Sequence, residues 1–89
     1  MSNKELICLR TEIDDINLQL LKLLNRRAEV VQEIGKQKAK QGISKFDPER
    51  ERQVIEMILE RHEGPFEASS IENIFKQIFR ESLELQNKN

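Results

Sequence analysis

The sequence has few residues that break or cross-link a chain: its 89 residues include one cysteine, two prolines and three glycines. A single cysteine, Cys8, excludes an intrachain disulfide and a thiolate metal cluster, so we expect a reduced thiol without a role. No charge is in excess either, because 15 basic residues accompany 16 acidic ones and the formal net charge is -1. This balance argues against a broad positive surface for nucleic acid or for an anionic membrane.

Signals for export and for membrane insertion are also lacking. The opening MSNKELICLR lacks the basic segment, the apolar core and the cleavage site that make up a secretion signal. No apolar run approaches the length of a membrane span. We therefore expect a cytoplasmic protein.

The composition favours helices that share a core between chains. Hydrophobic residues make up 37% of the chain and charged residues 35%, a balance typical of slender amphipathic helices. A chain this short forms one small domain, residues 1–89, and buries only a modest part of its surface by itself. We therefore expect further apolar surface to be buried against a second chain.

The first half of the chain predicts one long helix. Proline is absent from it, and Gly35 is the only glycine before Gly42, which ends the pattern. A helix of about 36 residues would span roughly 54 Å, whereas a compact globule of this length has a radius of gyration near 12 Å. A two-fold homodimer would cover the excess length. The spacing that predicts this helix alternates three and four residues, at Leu6, Leu9, Ile13, Ile16, Leu20, Leu23, Arg27, Val30, Ile34, Gln37 and Gln41.

A second helix is predicted to begin at Asp47 and Pro48, with aspartate as the N-cap and proline in the first turn. It should run to about Glu63, where Gly64 would form a left-handed cap and Pro65 would prevent continuation. Its apolar stripe comprises Val54, Ile55, Ile58 and Leu59.

A third helix is predicted from Ser69, because Ser69 and Glu72 fit the spacing of a capping box. The closing Asn87-Lys88-Asn89 is expected to fray. No alternating strand pattern occurs, so the predicted fold class is all-α with three helices. The apolar stripe of this helix comprises Ile71, Ile74, Phe75, Ile78, Phe79 and Leu83.

Polar residues interrupt the apolar stripes of all three helices. One turn before Val54 and Ile55, charged side chains stand where a core helix would carry leucine. Burial of an unpaired charge is costly, so something must neutralise these groups. The residues concerned are Arg27, Lys38, Arg50, Glu51, Ser82 and Gln86.

Two interpretations of these polar residues remain open. Arg27, Arg50 and Glu51 can pair with one another, or their long stems can reach outward from a partly exposed stripe. Alternatively, the surplus of cations over anions serves an anionic small molecule whose carboxylates arginine can bind in a bidentate manner. Arg27 and Lys38 would share a helix face about 16 Å apart along the axis.

Familiar catalytic groupings are missing. His62 stands at a predicted helix end, where a cap or dipole contact is the expected role. No Ser/His/Asp set, metal-ligand cluster or glycine-rich phosphate loop can be assembled. An enzyme built from these residues would therefore use neither a nucleophile nor a metal and would depend on electrostatic preorganisation.

The sequence resembles the all-helical chorismate mutases, which convert chorismate to prephenate. The similarity covers essentially the whole chain and is carried by LRTEIDDINLQLLKLLNRRAEVVQEIGKQK, by DPERERQV and by IFKQIFRESLELQ, in the family's order. It implies an intertwined homodimer and a reaction without cofactor or metal. The segments FDPERER and GPFE look most like the mutase domain that precedes a 3-deoxy-D-arabino-heptulosonate 7-phosphate (DAHP) synthase in some bacteria.

The resemblance implies roles for the residues of the first and third helices. Arg27, in NRRAE, takes the place of the arginine that grips a substrate carboxylate, and Arg26 is the adjacent alternative off the stripe. Lys38 takes the place of the lysine that contacts the ether oxygen and a carboxylate. Ser82 and Gln86 match the family's S...Q pattern, in which the glutamine donates to the ether oxygen.

The second helix matches the family's D..RE pattern. The resemblance implies that Glu51 holds the substrate hydroxyl and that Arg50 supports the anionic end. Asp47 would contribute through its backbone and the helix start. The expected catalytic residues are thus Lys38, Gln86, Arg27 and Glu51, and the substrate-binding set adds Arg10, Asp47, Arg50 and Ser82.

Arg10 takes the place of the family's N-terminal arginine, which enters the neighbouring subunit's site. It precedes Arg27 by seventeen residues, roughly 25 Å along one helix. One small ligand cannot touch both within a chain, so Arg10 is expected to serve the partner subunit's site.

Three functions remain in view at this point. The first is a cofactor-free mutase acting on chorismate. The second is a regulatory module that binds chorismate or prephenate and signals to an attached DAHP synthase, and one pocket could serve both. The third is a plain helical dimerisation domain, which leaves the inward charges unexplained.

Overall fold

A computed structural model of the chain describes residues 2–88. It contains three helices: α1 (Asn3–Gln41), α2 (Pro48–Arg61) and α3 (Ala68–Asn87). The predicted all-helical fold class with one long first helix is confirmed. The structure divides into two units between Val30 and Val31. The expectation of a single domain over residues 1–89 stays a prediction.

The first unit consists of α1 as far as Val30 and begins with a capping box. The backbone N–H of Glu5 donates to the hydroxyl of Ser2 at 3.2 Å, and the backbone N–H of Ser2 donates to the Glu5 carboxylate at 3.0 Å. These reciprocal bonds satisfy two amides that a helix start leaves without partners. The helix therefore begins at Asn3, before the first apolar residue of the predicted stripe.

The apolar side chains of this first unit are exposed. Leu23, for example, is 66% exposed. A helix in water derives most of its stability from burial of its apolar face, so exposed leucines and isoleucines along several turns mark a surface that needs cover. The exposed residues are Leu6, Ile7, Leu9, Ile13, Ile16, Leu18, Leu20, Leu21, Leu23, Leu24 and Val30.

In the second unit, α1 ends at a Schellman motif, as the glycine predicted. Gly42 has φ +68, in the left-handed region. Its N–H donates to the carbonyl of Ala39 at 3.2 Å, and the N–H of Ile43 donates to the carbonyl of Lys38 at 2.9 Å. Both bonds satisfy carbonyls at the helix end.

Helix α2 begins as predicted but ends earlier. The Asp47 carboxylate accepts a hydrogen bond from the backbone N–H of Arg50 at 3.0 Å, which confirms the N-cap. The predicted end near Glu63 is wrong, because the helix stops at Arg61 and the backbone N–H of His62 donates to the carbonyl of Leu59 at 3.3 Å. Gly64 has φ +128 but lies beyond that end and does not cap it.

The predicted start of α3 at Ser69 is wrong as well. The helix begins at Ala68, and its N-cap is Glu67, whose side chain makes no capping bond with the described residues. The carbonyl of Glu67 instead accepts from the N–H groups of Ser70 and Ile71 at 3.0 and 3.2 Å. Ser69 is therefore already helical and cannot form the expected capping box.

Helix α3 extends one residue into the segment that was expected to fray. Asn87 is its last helical residue, and the backbone N–H of Lys88 donates to the carbonyl of Leu85 at 3.4 Å. Asn89, also expected to fray, lies outside the described residues.

Helices α2 and α3 pack against each other around Phe79, which is 7% exposed. The ring centroids of Phe75 and Phe79 lie 6.4 Å apart, and the ring planes are tilted by 54°. Aromatic pairs prefer such a tilted arrangement to a face-to-face stack. Among residues 2–88, Phe79 is the one buried apolar side chain. The same residues include no helix with the length and apolar character of a membrane span.

The cap at Asp47 predicts a graded loss of stability. Asp47→Ala should lower the free energy of unfolding by about 1 kcal/mol because the N–H of Arg50 loses its acceptor, whereas Asp47→Asn should stay within a few tenths. Urea unfolding followed by circular dichroism, at one fixed chain concentration, measures the difference. Equal midpoints for the alanine and asparagine variants would contradict the capping role.

Candidate functional site

Gln86 has the most restricted side chain among the candidate site residues. It is a buried polar residue, 8% exposed, near the C-terminal end of α3. Its Nε2 donates to the backbone carbonyl of Val31 in α1 at 3.0 Å. An amide nitrogen carries two N–H groups, so this bond orients the side chain and uses one of them.

A close approach of two helices makes this bond possible. Gly35 is buried in α1 one turn after Val31. A Cβ atom added at Gly35 would lie 3.1 Å from Cγ of Gln86, closer than ordinary van der Waals contact. The absence of a side chain at position 35 therefore lets the Gln86 stem lie against the backbone of α1.

Lys38 and Gln86 are linked through one residue of the loop between α1 and α2. Nζ of Lys38 donates to the backbone carbonyl of Lys45 at 3.2 Å. Nζ of Lys45 in turn donates to the backbone carbonyl of Gln86 at 2.8 Å. Both lysine side chains are half-buried, and an ammonium carries three N–H groups, so Lys38 retains donors beyond this bond.

The candidates at the start of α2 differ in exposure. Glu51 is half-buried, whereas Arg50 and Asp47 are exposed. The expectation that Arg50 and Glu51 both face inward stays a prediction. Glu51 lines an open groove of about 480 Å³ between α2 and α3, together with Ile55 and Phe79.

Ser82 is half-buried on α3, one turn before Gln86. Its hydroxyl donates to the carbonyl of Ile78 in the same helix at 2.7 Å. This bond satisfies the hydroxyl proton. Ser82 is thus oriented by its own helix.

In the first unit, the two arginines of NRRAE differ. Arg26 is exposed and pairs with the Glu29 carboxylate at 3.3 Å. Arg27 is half-buried, and burial lowers the pKa of its guanidinium from the ordinary value. Because that ordinary value lies far above neutrality, the group keeps its charge. Arg27 therefore presents a partly desolvated cation, while Arg10 is exposed.

The structure thus brings the predicted candidates together only in part. In the second unit, Lys45 links the Lys38 ammonium to the backbone carbonyl of Gln86, and the side-chain amide of Gln86 donates separately to Val31. Both side chains end in hydrogen-bond donors, and such groups suit an acceptor that carries or gains negative charge. Sequence reasoning missed the contributions of Gly35 and Lys45, and a lone glycine inside a long helix was the one available signal.

Comparisons with known proteins agree with the all-helical fold. Residues 9–87 match the family model described as chorismate mutase type II. The chain is 38% identical to a bifunctional chorismate mutase/prephenate dehydratase from Aquifex aeolicus, over 96% of this chain and 25% of that protein. It is 33% identical to a T-protein from Haemophilus influenzae, over 90% of this chain and 22% of that protein.

The solved structures include a similar chain of similar length. A chorismate mutase (form II) from Thermus thermophilus superposes with a TM-score of 0.94 at 35% identity, covering 96% of this chain and 97% of that one. In contrast, the chain spans about a quarter of the length of the curated relatives named above.

The close approach at Gly35 predicts that the effect of Gly35→Ala on stability changes sign with the residue at position 86. Gly35→Ala should lower the free energy of unfolding in the wild-type background, because the new Cβ displaces the Gln86 side chain. In a Gln86→Ala background the same change should raise that free energy by about 1 kcal/mol, since alanine is the better helix former. Chemical unfolding of the four chains at equal concentration measures this coupling. An equal effect in both backgrounds would contradict the contact.

Proposed function

The chain belongs to the type II chorismate mutase family, and we propose that it converts chorismate to prephenate by a cofactor-free rearrangement in aromatic amino-acid biosynthesis. The ether C–O bond of chorismate breaks as a C–C bond forms within the same molecule. No atom is gained or lost, and no proton has to be transferred. The ether oxygen gains negative charge in the transition state, so hydrogen-bond donors aimed at it accelerate the reaction.

The network of Lys38 and Gln86 is the observation that carries this proposal. The carbonyl of Lys45 accepts from the half-buried Lys38 ammonium, and the Lys45 ammonium donates to the backbone carbonyl of Gln86, whose buried side-chain amide donates to Val31. Each group has an N–H beyond the one used in that network or at Val31. We assign these remaining donors to the ether oxygen, with Lys38 also contacting a carboxylate. Because both are held before substrate arrives, little reorganisation is needed during the reaction.

The arginines would hold the substrate in its reactive shape. Chorismate carries two carboxylates, and a guanidinium can bind a carboxylate through two parallel N–H donors. We assign one carboxylate to Arg27, whose partial burial strengthens such a bond. The other is assigned to Arg10 of the partner subunit. This restraint favours the diaxial conformer from which the new bond can form.

The remaining candidates have supporting roles in this proposal. Glu51, half-buried in the first turn of α2, would accept a hydrogen bond from the substrate hydroxyl. Arg50 would support the anionic end of the substrate, and Ser82 would add a neutral hydrogen bond. Asp47 would act through its backbone and by capping the helix that carries Arg50 and Glu51.

A homodimer of intertwined α1 helices is part of the proposal. It is supported by the exposed apolar residues of the first unit, which an antiparallel partner helix would cover. It is also supported by the separation of Arg10 from Arg27, roughly 25 Å along a helix. The two arginines can serve one ligand only if they come from different chains.

An attached enzyme is a further element that we propose from the sequence. The Aquifex relative is named as a fusion with prephenate dehydratase, whereas FDPERER and GPFE favour a DAHP synthase partner. In the alternative function, the same pocket binds chorismate or prephenate to regulate that synthase. We place the protein in the cytoplasm, with no nucleic acid or membrane as a partner. Binding of chorismate without turnover would favour the regulatory function.

Removal of the Lys38 ammonium should abolish most turnover. Lys38→Ala is expected to lower kcat/KM about 10²- to 10³-fold, the usual effect of losing one donor to a developing oxyanion. Loss of chorismate absorbance on adding the purified chain measures the rate, and circular dichroism checks helicity.

Lys36→Ala is the matched control, because Lys36 lies in the same helix and its ammonium pairs with the exposed Glu33 carboxylate at 3.3 Å. Exposed ion pairs of this kind contribute little to stability, so Lys36→Ala should retain the wild-type rate of turnover. Near-normal turnover by Lys38→Ala would refute the assigned role.

Sharing of the site between chains can be tested by complementation. An inactive Arg10→Ala chain mixed equally with an inactive Lys38→Ala chain should recover about a quarter of wild-type activity, since half of the dimers are mixed and each has one complete site. A mixture of Lys38→Ala with Gln86→Ala is the control and should recover none, because both changes affect residues that we assign to the same chain's share of the site. Failure of the first mixture, with subunit exchange demonstrated by mass-tagged chains, would argue against a shared site.

A further inference from the structure

Building on the proposed function, we propose that Lys45 is a positioning residue for the two donors, Lys38 and Gln86. It uses its backbone for one donor and its side chain for the other. The Lys45 carbonyl accepts from Nζ of Lys38 at 3.2 Å, and Nζ of Lys45 donates to the carbonyl of Gln86 at 2.8 Å. One residue of the loop between α1 and α2 therefore bonds both residues.

The side-chain bond of Lys45 occupies a position that favours a cation. Gln86 lies in the last turn of α3, which ends at Asn87. Carbonyls in a last turn have no partner within their helix, and the helix dipole places partial negative charge there. An ammonium that binds such a carbonyl in a half-buried position forms a charge-assisted bond, which is stronger than a neutral one. Lys45 thus secures the turn that carries Gln86.

Gln86 is then held both by its side chain and by its backbone. Its side-chain Nε2 is bonded to Val31 of α1, and its backbone carbonyl is bonded to the loop through Lys45. With only the Val31 bond, the last turn of α3 could fray and change the direction of the remaining N–H. A misplacement of about 1 Å at a reacting centre can cost 10²-fold in rate. The second bond therefore bears on the chemical step.

Turnover measurements should show the effect in kcat. Lys45→Met removes the ammonium, retains a long apolar stem and keeps the carbonyl that binds Lys38. We expect kcat to fall about tenfold with KM changed less than about twofold. Lys45→Arg, which keeps a cationic donor, should restore most of the rate. The matched control is Lys40→Met, the same change at an exposed lysine of α1, and it should leave both constants unchanged.

A double-mutant cycle shows whether Lys45 acts through Gln86. In a Gln86→Ala background, Lys45→Met should have little further effect on kcat, because the group that it positions is gone. An equal loss in both backgrounds would indicate a general effect on the fold and would overturn the proposal. A rise in KM with kcat unchanged would assign Lys45 to direct substrate binding and would also overturn it.

A readout independent of turnover separates this proposal from the proposed function. In the chain without substrate, Lys45→Met should shift or broaden the side-chain amide signal of Gln86 in a 15N NMR spectrum, while the signal of the exposed Gln53 stays in place. An unchanged Gln86 signal would overturn the positioning role even in an active enzyme. Absence of turnover by the wild-type chain would refute the mutase but leave the NMR result to decide the role of Lys45.

Discussion

The contact between the Gln86 side chain and the backbone of α1 is the interaction on which the arrangement of the proposed donors depends. A buried amide must find a partner, and the carbonyl of Val31 provides one at 3.0 Å. That bond requires α3 to approach α1 closely, which the missing side chain of Gly35 permits. Burial, hydrogen bonding and packing at this point thus set the direction of one amide.

Lys45 extends this constraint to the second donor. Its carbonyl and ammonium connect Lys38 to the last turn of α3, so the loop after α1 would contribute to the geometry of the proposed site. Such preorganisation suits a reaction without proton transfer or covalent intermediate, because fixed donors are then the main means of lowering the barrier. The exposed apolar residues of the first unit also need to be covered, and the proposed partner chain would cover them.

The sequence predictions were correct only for features set by residues close together in the sequence and failed for contacts between residues far apart in it. The cap at Asp47 and the termination at Gly42 were predicted correctly, because local backbone chemistry decides both. The start of α3 at Ser69 was wrong because the backbone carbonyl of Glu67 supplied the first helical bonds. The bonds of Lys45 and the approach at Gly35 join residues distant in sequence, so no local pattern could predict them.

The most direct test of the central claim is the 15N NMR signal of the Gln86 side-chain amide during titration of the wild-type chain with prephenate. We predict that this signal moves in a saturable manner, because the remaining N–H of an amide fixed at Val31 meets the ligand, while the signals of the exposed Gln53 and Gln77 stay in place. Saturable binding of prephenate that leaves the Gln86 amide unmoved would contradict the claim.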